Sequence, residues 1–417
     1  MSQTIQDIVD DIQKKYGLDH YVLHNHHIYA ETNVSNKTDY ILSLEFLPSE
    51  QEIKEGEYNP SGTAIIDMNL HTKDLKQITF LNNVSNATEG IFPQQDMDQI
   101  IDWIEEETGM MFGKQFKLVH EYENEVSFQA TIDNMEVAPT GAIDLIFNEQ
   151  GQLTQFSIDG IFPTEEEVDW EPFSLTTEDI IDTIMDHLTL VETPDEENQT
   201  WLNLWQVKTF YIKNDRTKLI LPENLYQLDK FHQLHITVEW DKPHLETFTT
   251  EDYDFSTEVS YEEALENRGE PAPITEIELQ NCLEEVTKVV SNLFPDESGK
   301  WTVTGMYPEK NYIICELIGE KYRSIQRKLK LIIQRDNFTT VNYWDNKFIL
   351  DMFRPFKEPE QAKIAKVEAF EKLQSSIELT PVYVKESHSD TYQLCGRIVC
   401  DDVVDAVSGE LIKIFEL

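Results

Sequence analysis

The chain predicts an α+β protein in which one helix and a following antiparallel sheet form a unit, the unit repeats, and the repeats fall into two groups. Three observations lead to that class. Apolar stripes of helical period recur along the 417 residues, each stripe is followed by runs of strand character, and several runs are joined by polar turns containing glycine. Residues 62–80, residues 141–158 and the last 26 residues all read strand, turn, strand. In the last of these, Ser408-Gly409 turns the chain: glycine takes the positive φ that such a turn needs, and the serine hydroxyl bonds back to the backbone.

Five helices follow from the stripes. Ser2 is placed to cap the first, with Ile5, Ile8, Val9 and Ile12 on one face and Gly17 at its end. Asp96 opens the second, with Met97, Ile100, Ile101 and Ile104, stopped by Gly109. Thr176 begins a third that carries Ile181, Ile184, Met185 and Leu188. Thr275 and Glu278 form a capping box for the fourth, striped by Leu279, Cys282, Leu283, Val286, Val290 and Leu293. A fifth, from about Glu360, presents Ile364, Val367, Phe370 and Leu373. A one-sided stripe requires each helix to lie against something.

That something is β-like. Behind the second stripe come residues 116–122 and 125–132, behind the third 201–207 and 233–240. Residues 301–304, 312–318 and 328–334 follow the fourth, and 381–384 with the closing hairpin follow the fifth. In such a unit the helix covers one sheet face and the other stays wet or meets a neighbour. The units expected are 1–95, 96–170, 171–273, 274–358 and 359–417. The acidic stretch 241–273, closed by Pro271 and Pro273, marks the boundary between the two groups.

Composition narrows the function. With 40% hydrophobic and 11% aromatic residues the chain is a folded protein rather than a disordered acidic one. Its 79 Asp and Glu against 33 Lys and Arg give a formal charge of −46. A surface this negative repels phosphate backbones and anionic lipid, so nucleic acid is not an expected partner and a basic one is favoured. Residues 163–198 hold thirteen acids and no Lys or Arg. Residues 300–357 reverse the balance, with eleven Lys and Arg against six acids. Arg323, Arg327, Lys328, Lys330 and Arg335 crowd there. They either dock against the acidic remainder or form a partner-binding surface, and they are the candidate binding residues.

Cys282, Cys315, Cys395 and Cys400 are few and fit neither zinc nor redox spacing, so reduced thiols are expected. The sequence from Met1 shows no basic and apolar leader, and no run reaches the roughly 18 apolar residues of a membrane span. A cytoplasmic location is expected. His20, His24, His26 and His27 cluster; in a strand over 21–30, His24 and His26 would share a face and His27 would point away. No His-Glu-x-x-His or Cys-x-x-Cys accompanies them. Asp252, Asp254, Ser256 and Glu263 echo a calcium loop, but Thr257 stands where its glycine belongs. Nucleophile elbow, Walker loop and dinucleotide motif are all missing. No residue is assigned to catalysis, to a cofactor or to a metal.

Tyr392-Gln393-Leu394, the closing Val404-Asp405-Ala406-Val407-Ser408-Gly409-Glu410 and the helix-then-hairpin order of residues 96–160 resemble the PepSY family, and within it the multi-unit YcdB/YcdC repeat proteins. The closing run is similar to the family's Asp-Ala-x-Thr/Ser-Gly-Glu turn. The resemblance covers the last 60 or so residues well and the rest diffusely. It implies small units with a helix packed on an antiparallel sheet, and a role in binding or restraining a peptidase rather than in catalysis. Members of the family are mostly exported, whereas the expectation for this sequence is a chain without an export signal or an attached peptidase. The function expected is therefore non-enzymatic binding of a protein or peptide, basic in character or a peptidase. A hydrolase with a dispersed carboxylate and histidine site, or a purely structural protein, is the alternative.

Overall fold

In the computed structural model the chain is α+β, as the stripes predict. The structure describes residues 3–32, 38–49, 59–88, 96–222, 225, 231–245, 248–253, 257–266, 271–319, 323–386 and 389–414. They divide into two compact units, each discontinuous in sequence. The first comprises Met1–Trp170, Ser256–Glu270 and Val382–Gln393; the second comprises Glu171–Phe255, Pro271–Pro381 and Leu394–Leu417.

One order of elements, a helix and then two hairpins, occurs five times. Helix α1 (Gln3–Lys15) precedes β1 (Tyr21–Thr32), β2 (Thr38–Pro48), β3 (Ala64–Asn69) and β4 (Leu75–Phe80). Helix α2 (Met97–Thr108) precedes β5 (Phe116–Glu121), β6 (Glu125–Ile132), the short β7 (Met135–Ala138), β8 (Ala142–Phe147) and β9 (Leu153–Asp159). Helix α3 (Ile181–His187) precedes β10 (Leu188–Asp195), β11 (Thr200–Val207), β12 (Phe210–Lys213) and β13 (Leu219–Ile220). After β14 (His232–Val238) and α4 (Tyr261–Leu265), α5 (Glu276–Leu293) precedes β15 (Trp301–Glu309), β16 (Tyr312–Gly319), β17 (Lys328–Gln334) and β18 (Thr340–Asp345). Following α6 (Lys347–Met352), α7 (Lys366–Leu373) precedes β19 (Ile377–Val384), β20 (Gln393–Cys400), β21 (Asp402–Asp405) and β22 (Leu411–Lys413).

The second hairpin of every set turns by the same device. An Asn or Asp side chain accepts backbone N–H bonds from residues just ahead of it, and one residue takes a positive φ. Asn69 with Lys73, Asn148 with Gly151, Asp215 with Arg216, Asn337 with Phe338 and Asp405 with Gly409 fill the two roles. At the last turn Asp405 Oδ1 accepts from the amides of Val407 and Ser408 at 2.7 and 2.8 Å, and Gly409 sits at φ 76°.

In the first unit eight strands form one antiparallel series, β1-β2-β3-β4-β9-β8-β6-β5; β6 also pairs with β7, beside which Tyr383 and Val384 of β19 run parallel. Alternation puts Leu42, Leu44 and Phe46 of β2, Ile66 of β3 and Phe128 of β6 on one face, in a core shared with Ile5, Ile8, Val9 and Ile12 of α1 and Ile100 and Ile104 of α2. Complete burial of each such side chain is worth about 2 kcal/mol, so these stripes account for both helices. The other face is polar: the registers align His27, Ser43, Asp67, Gln77, Ser157, Asp144 and Ser127 in one row across seven strands. Asp96 caps α2, and Gly109 ends it in the left-handed region at φ 70°.

In the second unit α5 lies on the antiparallel sheet β14-β15-β16-β17-β18, and Cys282, Val286 and Val290 meet Trp301, Val303, Cys315 and Leu331. Its capping box, Thr275 with Glu278, forms as the spacing predicts. The third and fifth sets are not self-contained. Hairpin β10–β11 pairs through β21 with β22, and β12–β13 pair with β20, so each set completes its sheet with a hairpin of the other. Phe210, Ile184, Phe370, Leu373 and Val404 close the core between them.

Two helices are shorter than their stripes. Helix α3 gives way at Leu188, which opens β10. Helix α7 begins only at Lys366, because the amides of Lys363 and Ile364 both donate to the Ala406 carbonyl and the Ile364 carbonyl accepts from the Trp205 indole. The boundary stretch 241–273 is not empty either: α4 lies inside it and belongs to the first unit.

Candidate functional site

An antiparallel sheet that does not close has two edges, and each exposes a row of unpaired N–H and C=O groups to any passing strand. At the two ends of the first unit's antiparallel series those edges are β1 and β5. The β1 edge is covered over Ile28–Ala30, although Val22 near its start is 57% exposed. The Ala30 amide donates to Thr257 O at 2.7 Å, the Val259 amide to Ile28 O at 2.9 Å, and Tyr29 bridges Glu258. Ser260 then caps α4 in a box with Glu263, and Ala264 enters the core fully buried.

The β5 edge is bare. Strand β5 pairs with β6 and, from Lys117 to Glu121, with no other strand among the described residues. It is also apolar where it meets water: Leu118 is 37% exposed, Val119 52% and Tyr122 66%, with Met111 and Phe112 exposed just upstream. A bulge at Val119 sets these side chains on both faces. Leu118 lies opposite Phe128 on the core face, while His120 lies opposite Ser127 on the polar face. The strand is held firmly from behind. Phe116 and Phe128 are buried with ring centroids 5.5 Å apart, Phe112 packs 5.5 Å from Phe116, and the Phe112 amide donates to Glu105 of α2 at 2.7 Å.

Charge gives the edge a sign. Glu121, Glu123 and Glu125 lie on the β5–β6 hairpin around Tyr122. The cations close by are engaged: Lys117 reaches Glu136 at 3.7 Å and the Asn134 carbonyl at 3.4 Å, and Lys114 reaches Glu165 at 3.1 Å. His120 Nε2 stands 3.5 Å from Glu125. The arrangement suits an extended segment with apolar side chains on alternate positions and basic ones between them.

The five basic residues singled out by the sequence lie in the second unit, and four are tied down inside it. Arg323 pairs with Glu192 and Glu358, both at 2.7 Å, under the Trp201 ring at 4.0 Å. Arg327 lies against Phe294 and Trp301 and reaches Asp345 at 3.1 Å and Glu297 at 3.5 Å. Lys330 meets Glu316 across the strands at 2.6 Å. Arg335 meets Glu278 at 2.7 Å and donates to the carbonyls of Ala272 and Pro273, and that guanidinium holds the Glu278 carboxyl down at about 2. Lys328 alone of the five has an exposed side chain with no ion pair among the described residues, and its backbone amide donates to Asn346 Oδ1. Only Arg323 finds an acid from before residue 241.

The histidines do not converge. The β1 bulge lies at His24, which drops out of the ladder, and His26 comes into register with Leu44 on the core face, so the alternation expected for His24 and His26 is broken. Among the described residues no three His, Cys, Asp or Glu side chains are grouped as a metal would need. The calcium-loop echo falls partly on residues 254–256, outside the described residues. No described helix is long and apolar enough to cross a membrane.

No family model matches the chain, and no curated protein matches it either. Among solved structures the C-terminal domain of Bacillus megaterium YpeB aligns over 83% of this chain and 97% of its own, at 8% identity and a TM-score of 0.26.

Proposed function

We propose that this chain is a non-enzymatic binding protein of PepSY type, patterned on the multi-unit YcdB/YcdC proteins, that takes a protein or peptide partner as an added strand along β5. The bare, apolar β5 edge carries the reading. Backbone pairing supplies affinity in such a complex, and the side chains on the two faces supply selectivity. The partner is an extended segment with basic and apolar residues alternating, and a peptidase restrained through such a segment is the form the PepSY resemblance implies. The five helix-and-two-hairpin sets, each closed by the same kind of turn, support the reading of the chain as repeated units.

The test is a titration of the whole protein with a short labelled peptide alternating valine and lysine, read by fluorescence anisotropy, beside its valine–glutamate counterpart. The lysine peptide binds saturably and Leu118→Lys with Val119→Lys weakens it at least tenfold. Equal binding of both peptides, or no effect of the substitutions, refutes the assignment.

A further inference from the structure

A second apolar surface lies in the other unit and has the opposite sign. On α6, Phe348 and Met352 stand one turn apart, 63% and 67% exposed, and Trp344 is 44% exposed at the end of β18. Large apolar side chains exposed at this spacing are uncommon on a surface that meets only water, and methionine and aromatic residues are the usual anchors of protein contacts. The flanking charge is basic. From Lys347 to Lys357 the exposed charged residues are Lys347, Arg354 and Lys357 against Asp351, and exposed Lys328 is bonded through its backbone to Asn346 beside the start of the helix. Neither Lys347 nor Arg354 forms an ion pair among the described residues. In a chain of formal charge −46 this is a local reversal: three exposed cations stand around the ridge against Asp351, and Glu358 just beyond is held by Arg323.

We infer that the α6 ridge is a docking surface for an acidic segment of a protein partner, one that carries apolar side chains to cover Phe348 and Met352 and carboxylates to meet Lys347, Arg354 and Lys328. Charge complementarity selects this occupant: a basic segment would meet like charge at the rim, and opposite charges across a rim set partner choice and association rate. The proposal is independent of the β5 edge, which lies in the first unit and selects the opposite charge.

The test uses the full chain carrying Leu118→Lys and Val119→Lys, so that the β5 edge does not take up the basic peptide, with a synthetic amphipathic peptide of leucine and glutamate and a leucine–lysine counterpart. The acidic peptide binds at least tenfold more tightly, and the preference shrinks as salt rises. Phe348→Ser with Met352→Ser weakens it at least tenfold, whereas the acidic peptide binds alike with and without Leu118→Lys and Val119→Lys. Lys347→Glu with Arg354→Glu reverses the preference between the peptides, and this readout survives any general loosening of the helix. Equal binding of the two peptides overturns the inference. So does binding to phosphatidylglycerol vesicles in place of the peptide, or sedimentation showing that the ridge is covered by a second copy of the chain.

Discussion

The two edges of the first unit's sheet face the same hazard and answer it differently. Strand β1 is long, at twelve residues, and the chain returns from residue 257 to lay a bridging segment and then α4 along it. Strand β5 has six residues, and nothing of the described chain returns to cover it. An edge left open with a charged or polar surface would be ordinary protection against self-pairing. An edge left open with Leu118, Val119 and Tyr122 exposed lacks that protection, and the proposed partner-binding role of β5 rests on this difference between the edges.

The largest effect is expected where the cover of β1 is removed. Ala264→Asp places an unpaired carboxyl in the core and should cost the first unit about 3 kcal/mol or more, read as a fall in the denaturant midpoint. Val259→Pro removes the amide bond to Ile28 and trims the contact Val259 makes at the margin of the core, and should cost about 2 kcal/mol. If β1 then also takes up the valine–lysine peptide, any bare edge suffices and the special character of β5 is lost. Leu118→Lys with Val119→Lys should cost about 1 kcal/mol, because Leu118 is 37% and Val119 52% exposed, while binding falls tenfold.

A gentler contrast comes from pH. Burial raises the pKa of Tyr16, Tyr21 and Tyr29, with Glu107 adding to the shift at Tyr16 and Asp67 at Tyr29. The folded state holds these protons more tightly than the unfolded chain, whose tyrosines titrate near pH 10. Their contribution is therefore complete below about pH 10 and is lost as pH climbs above it toward the folded values. Phenolate absorbance from this side of the sheet should appear together with unfolding, followed by circular dichroism. Ionisation well before unfolding would show that the β1 side is looser than its packing indicates.

Much of this was legible in the sequence because it is local. The stripe of α1, the Asp96 and Gly109 ends of α2, the capping box of α5 and the Gly409 turn each depend on residues within a turn or two of one another. The exchange of hairpins between the third and fifth sets was not legible, because β11 meets β21 across two hundred residues and nothing local distinguishes it from pairing within a set. For the same reason the apolar stripe extends ahead of α7: Ile364 continues the period, but its amide is taken by the Ala406 carbonyl. The basic cluster was visible as composition, and its neutralisation was not, since Glu192 reaches Arg323 from far along the chain. The β5 edge left only a faint trace. Leu118, Val119 and Tyr122 read as an ordinary strand, and exposure follows from strand order.

Hydrogen–deuterium exchange of the backbone amides tests the central claim most directly. With the protein alone, the amides of Ala30 and Val259 at the covered edge should be protected, and outward-facing amides between Lys117 and Glu121 should exchange fast. Saturation with the valine–lysine peptide should slow exchange in β5 and leave β1 unchanged. Protection of β5 without the peptide, or unchanged exchange there at saturation, would contradict the account.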